Sequence, residues 1–330
     1  MLNQELKLNT KIFGENVDKK ATRDGFGEGL VLAGSKDYNI VALTADLKDS
    51  IKMTEFANRF PERFFDVGIA EQNLVSVASG MASEGKIPFI ASYAVFCPGR
   101  SWEQIHTNIC YNNRPVKIIG SHSGVSTGPD GGSHQSLEDI ALTRVLPNMT
   151  VITPCDAIET KKAILACVSN NMPTYIRVAR DATPIITTEE TPFEIGKAQI
   201  VYMPEQGIAQ VGIIASGPIL YRALLSAKEL ESKGIKVKVI NLSTIKPLDE
   251  KAIIDLAKET KRIVTCEDHQ VTGGVGSAVA ECLAKNYPTI IEMVGVEDKF
   301  GQSGTPEELE KYYKIDKDSI IEKVEKILKR

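Results

Sequence analysis

The segment FFDVGIAEQNLVSVASG, residues 64–80, sets one carboxylate, Glu71, inside a largely apolar run. Phe64, Phe65, Val67 and Ile69 precede it, and Leu74, Val75, Val77, Ala78 and Met81 follow at helical spacing. Glutamate is rarely buried without a partner. A helix-start glutamate that complements the helix dipole is the plainer role. A carboxyl group drawn out of water, however, favours its protonated form and can exchange that proton with a ligand.

Two further stretches carry candidate chemistry. FIASYAVFCPGRSWEQ places Tyr93 and Phe96 three apart just past a run that reads as a strand, where they could wall an aromatic ligand. Trp102 in the same stretch reads as core. GSHSGVSTGPDGGSHQS puts five glycines (Gly120, Gly124, Gly128, Gly131 and Gly132) in thirteen residues together with His122, Asp130 and His134. Glycines permit close backbone approach. Two histidines and an aspartate lack a further carboxylate or cysteine at ligand spacing, so no metal site is expected here. Hydrogen bonding to a polyhydroxylated substrate suits these groups better.

Elements that must hold such residues follow from the pattern of short apolar runs alternating with amphipathic stretches, which predicts α/β architecture with mainly parallel strands. Strands are expected at NIVALTAD, RFFDVG, IPFIAS, VKIIGS, TVITP and TYIRVA, with helices between them. The pattern restarts with strands at VGIIASG, KVKVINL, RIVTCE and TIIEMVGV, so two tandem doubly wound domains are expected. RDATPIITTEETPFEIGKA, rich in Thr and Pro and without helical period, reads as the connection. The expected units are residues 1–182 and 193–330, joined by a linker over 183–192. TGGVG, at 272–276, opens the helix SAVAECLAK. A glycine-rich turn alone is weak evidence for phosphate binding, and His269 beside it reads as structural.

Composition narrows the classes. Hydrophobic residues make up 42% and charged residues 25% of the 330, with a net charge of −4. This is an ordinary globular balance with no basic stripe for nucleic acid or an anionic membrane. Six scattered cysteines without a C-x-x-C pair suggest free thiols in a reducing compartment. No apolar run is long enough for a membrane helix, and a soluble, cytoplasmic protein is expected.

DVGIAEQN, GPDGGSHQSLEDIAL and LPNMTVITPCDA, within a match running from about KKATRDGFGEGL to the C-terminus, resemble the transketolases. These are thiamine-diphosphate enzymes that move two-carbon ketol units between sugar phosphates. The resemblance implies a pyrimidine-binding domain followed by a transketolase C-terminal domain. Glu71 matches the acid that drives the aminopyrimidine to its imino tautomer. Phe96 matches the ring that stacks on the pyrimidine, with Tyr93 its neighbour, and His134 lies at the position over the cofactor's amino group. Asp46 is a further candidate on the thiazolium side. Arg23, Ser50 and Arg180 match a phosphate-binding set, Asp130 a carboxylate gripping a substrate hydroxyl, and His122 a histidine near the reacting carbonyl. Taken singly, Arg23 or Arg177 would read as a surface salt bridge and Ser50 as a helix cap. The chain is one residue longer than typical members between Phe96 and the following Gln.

No G-D-G motif with a downstream Asn is found, and in the family that pair holds diphosphate through a divalent metal. The resemblance therefore implies a split enzyme. An N-terminal partner subunit would hold the diphosphate with Mg2+ or Ca2+, in an α2β2 assembly acting on sugar phosphates, as in the pentose phosphate pathway. Rival readings are a deoxyxylulose-phosphate synthase-like subunit, a transketolase for an unusual sugar, the β subunit of a 2-oxo-acid dehydrogenase, and a non-catalytic scaffold subunit.

Overall fold

Strands Ile40–Thr44, Lys117–Ser121 and Val211–Ala215 are buried at every position, as befits parallel strands covered by helices on both faces. The computed structural model describes residues 1–330 and arranges them around two such sheets. The first has seven strands in the order Thr244–Lys246, Thr150–Ile152, Thr174–Arg177, Lys117–Ser121, Ile87–Tyr93, Ile40–Thr44 and Phe64–Asp66. Every neighbouring pair is parallel except the first, which is antiparallel. The second has five, in the order Ile290–Val296, Arg262–Gln270, Val211–Ala215, Val237–Asn241 and Gln199–Tyr202, with only the last pairing antiparallel. The expected α/β class with two doubly wound, mainly parallel sheets is therefore observed.

Helices Thr22–Lys36 and Ala157–Val168 cover one face of the first sheet and pack closely on each other. Gly25 makes this possible: a Cβ there would lie 2.0 Å from the Ala157 carbonyl oxygen. The buried Thr22 hydroxyl accepts a hydrogen bond from the Ala179 N–H at 2.6 Å. This bond ties the start of the helix to the exit of strand Thr174–Arg177, and so fixes Arg23 and Arg180 on one side of the sheet.

Several features cross the division drawn from the sequence. Residues 1–12, assigned above to the first unit, seat Leu2, Leu8 and Ile12 in the apolar cluster of the second, beside Val201 and Tyr202. The stretch read as an irregular connection instead supplies a strand, Ala182–Pro184, paired antiparallel with Lys19–Ala21. Thr244–Lys246, from the second unit, completes an edge of the first sheet. Arg177 is no surface salt bridge. It is 5% exposed, bonds Asp139 at 2.9 Å and donates to the Asp268 carbonyl across the two units. No helix is long and apolar enough to cross a membrane.

Candidate functional site

Five parallel strands of the first sheet each deliver a candidate residue just beyond their carboxyl ends. Asp46 follows Ile40–Thr44, Glu71 follows Phe64–Asp66, Phe96 follows Ile87–Tyr93, His122 follows Lys117–Ser121 and Arg180 follows Thr174–Arg177. In open α/β sheets this is the side on which ligands bind. Parallel pairing forces the convergence, because all five strands end on the same edge.

Glu71 is the first residue of helix Glu71–Ser83 and is only 3% exposed. Its Oε2 accepts a hydrogen bond from Arg100 Nη1 at 2.9 Å. The same guanidinium lies over the Phe96 ring, 5.0 Å from its centroid. Phe96 stacks near-parallel with Tyr93, with centroids 6.0 Å apart and planes 13° from each other. His134 meets Phe96 edge-on at 5.6 Å and Tyr93 at 6.0 Å. Tyr93 is itself covered on one face by His122, centroid to centroid 3.8 Å. Tyr93 and Phe96 thus lie ring to ring at the strand exit, and His122 occupies one face of Tyr93.

His122 joins these rings to a cationic cluster. Its backbone is left-handed, at φ 55°, uncommon for a residue with a side chain and frequent at functional positions. Arg23 Nη1, which can only donate, lies 3.2 Å from His122 Nε2. Nε2 is therefore the acceptor, and Nδ1 carries the hydrogen toward Ser121 Oγ at 3.0 Å. Burial, reinforced by the charges of Arg23 and Arg180, pushes this imidazole down to about 3, so it is neutral at physiological pH. Burial, with Arg180 adding to it, also lowers Arg23. Arg23 Nε is buried without any hydrogen-bond partner, a cost that an anion would relieve.

Arg180 Nη1 donates to the Thr127 carbonyl at 2.7 Å and pairs with Asp130 at 3.0 Å. Arg180 and Asp130 are thereby brought to one spot. Ser50 takes part differently, since its backbone carbonyl accepts from Arg23 at 2.8 Å. Asp46 stands apart: it is exposed, with its N–H donating to Asp66 Oδ1.

The glycine-rich loop is held from below by the second unit. Val125 N–H donates to Asp268 Oδ1 at 3.0 Å, and Gln135 Nε2 to the Gln302 carbonyl. Gly124 is required here, because it has φ +67° and a Cβ would lie 1.9 Å from the Asp268 carboxylate. A cavity of about 570 Å3 lies behind the loop, between Val125, Asp181, Arg222 and Glu310, and none of the candidate residues lines it. No group of three or more His, Cys, Asp or Glu side chains is placed to hold a metal ion. The TGGVG turn is filled from within, since Glu267 accepts from Val275 N–H at 2.7 Å and Gly276 N–H at 2.8 Å. His269 is fully buried and accepts from the backbone N–H groups of Ile140 and Ala141. Arg100, which meets both Glu71 and Phe96, is not among the residues that the sequence singles out.

Two domain families match the chain: transketolase, pyrimidine binding domain, over residues 18–185, and transketolase, C-terminal domain, over 197–320. The chain belongs to the transketolase family. Among relatives of this family, a Methanocaldococcus jannaschii protein bearing the provisional name transketolase C-terminal section is 42% identical over 314 residues, covering 94% of this chain and 97% of that one. The 6-deoxy-6-sulfo-D-fructose transketolase subunit SqwH of Clostridium sp. (strain MSTE9) is 36% identical, covering 96% and 98%. A solved structure described as a split gene transketolase, inactive beta4 tetramer, superposes with a TM-score of 0.86 at 41% identity, covering 94% and 98%. Transketolases depend on thiamine diphosphate. The donor set here suits the pyrimidine end of that group: a buried carboxylate joined through Arg100 to an aromatic face.

Proposed function

We propose that this chain is the pyrimidine-binding subunit of a two-subunit transketolase, transferring a two-carbon ketol unit from a ketose phosphate to an aldose phosphate. The observation that carries this reading is a carboxyl group 3% exposed, linked through the Arg100 guanidinium to the Phe96 face, at the carboxyl ends of a parallel sheet. An N-terminal subunit would hold the diphosphate and Mg2+ or Ca2+, in an α2β2 assembly. The near-complete coverage of a relative structure described as split-gene supports that division.

When bound, thiamine diphosphate supplies an electron sink that lets the carbon–carbon bond beside a ketone break and re-form. Glu71 would hold a proton on its carboxyl group against a ring nitrogen of the aminopyrimidine, favouring the tautomer that acts as base. Phe96 would supply the stacking face, with Tyr93 behind it and His134 at its edge. His122, neutral and donating through Nδ1 to Ser121, keeps Nε2 as an acceptor for a substrate hydroxyl once Arg23 turns to an anion. Arg23 and Arg180 would share the substrate phosphate, with Ser50 at the clamp's edge and Asp130 accepting from a substrate hydroxyl. Asp46 stays a lesser candidate on the thiazolium side.

A second reading has support of its own. Two arginines answer any tetrahedral oxyanion, and a relative matched over 96% of this chain is named for a sulfonated ketose. The co-purified pair of subunits should be assayed with xylulose 5-phosphate and ribose 5-phosphate, and in parallel with 6-deoxy-6-sulfofructose as donor. Turnover of the phosphate pair supports the first reading, and turnover of the sulfonate alone supports the second. No ketol transfer from either donor removes both.

A further inference from the structure

Arg100 makes two contacts with one flat group. Its Nη1 donates to the buried Glu71 carboxylate at 2.9 Å, and its guanidinium carbon sits 5.0 Å above the Phe96 centroid. Glu71 is 3% exposed, whereas the Arg100 side chain is 52% exposed, so the arginine reaches inward from the surface. It can do so because CPG, residues 97–99, breaks the regular backbone between Phe96 and the helix that begins at Trp102.

An aminopyrimidine asks for the same pair of contacts. It presents a planar, electron-poor face to an aromatic ring, and a ring nitrogen to the carboxyl group. A guanidinium is likewise planar and carries nitrogen at its rim. One carboxylate and one ring face cannot serve both at once.

We infer that Arg100 is a removable placeholder, occupying the pyrimidine-recognition groups of this chain until the cofactor displaces it. While it is seated, the carboxylate is neither exposed nor left as an uncompensated buried charge. On binding, Arg100 swings outward to solvent, and Glu71 exchanges one planar nitrogen partner for another. Arg100 is thus a positioning residue that competes with the ligand. This inference rests on the cofactor reading above.

The test uses the complex of both subunits, stripped of cofactor, with calorimetric titration of thiamine diphosphate in Mg2+. Arg100→Met removes the competitor and keeps the stem, and it should bind about tenfold more tightly than the wild type. Its cofactor-free complex should melt at a lower temperature, with a larger rise on adding cofactor. Arg100→Gln, which keeps one planar amide donor, should lie between the two and serves where the Met variant does not assemble. Equal or weaker affinity in either variant overturns the placeholder while leaving the cofactor reading intact. A wild-type complex that binds no thiamine diphosphate removes both. A structure of the loaded wild-type complex decides independently of any variant, because Arg100 still bonded to Glu71 there would overturn the inference.

Discussion

Arg180→Ala examines the anion clamp most directly. In the structure Arg180 spends only Nη1 on the chain, donating to the Thr127 carbonyl and pairing with Asp130. The remaining guanidinium donors are free for a ligand. A hydrogen bond to a charged group contributes about 1.5–3 kcal/mol, which is roughly a 10- to 150-fold change at ~1.36 kcal/mol per factor of ten. The side chain is 32% exposed, so solvent screening places the expected effect at the lower end. Asp130 loses its partner but sits at the surface and can be hydrated, adding little. Since phosphate is held equally before and during reaction, the loss should fall on KM with kcat nearly retained. Steady-state kinetics of the two-subunit complex with a phosphorylated ketose, set beside a short unphosphorylated one such as erythrulose, give the readout. KM for the phosphorylated donor should rise about 10- to 20-fold, while the unphosphorylated donor changes by less than about threefold. Equal losses with both donors, or none with either, would refute the clamp.

Glu71→Gln should leave assembly intact and lower kcat by about 100-fold or more, because an amide cannot release and recover the proton. Circular dichroism and turnover check the two halves of that statement. His122 lies at about 3 when folded, below its usual 6.5, so between those values the unfolded chain takes up a proton that the folded chain refuses. Stability contributed by this group is complete above about pH 6.5 and falls as pH drops toward 3, by up to about 1.4 kcal/mol per unit. Urea melts of wild type and His122→Gln from pH 7.5 to 4.5 should show the wild type losing more, and parallel curves would contradict it. Gly25→Ala would set a methyl 2.0 Å from the Ala157 carbonyl oxygen. The two helices must separate at a cost of about 1–3 kcal/mol, seen as a lower melting temperature together with a raised KM, since Arg23 rides on the displaced helix.

Much of this arrangement was legible because parallel strands have a sequence signature and an obligatory direction. Once TYIRVA and VKIIGS are read as parallel neighbours, Arg180 and His122 must leave on the same edge. The carboxylate at a helix start and the aromatic pair at a strand exit were readable for the same reason. Three-residue strands are too short to show any period, so the pairing of Lys19–Ala21 with Ala182–Pro184 left no trace in composition. Arg177 could not be told from a surface arginine, because its burial depends on Asp268, ninety-one residues away. Arg100 escaped for a different cause. Its importance lies in the reach of a long side chain out of an irregular turn, and residue spacing says nothing about reach. At TGGVG a carboxylate eight residues upstream is seated on the helix start, an arrangement visible only in three dimensions.

The strand that the second unit lends to the first sheet, Thr244–Lys246, has a consequence for modularity. Severing the chain anywhere between the two sheets would strip a rim from one piece and leave an orphaned ribbon on the other. Neither half could be grafted elsewhere without carrying a fragment of its neighbour. The two units are therefore best exchanged as a single piece, and the glycine-rich loop at the candidate site takes its support from the second of them.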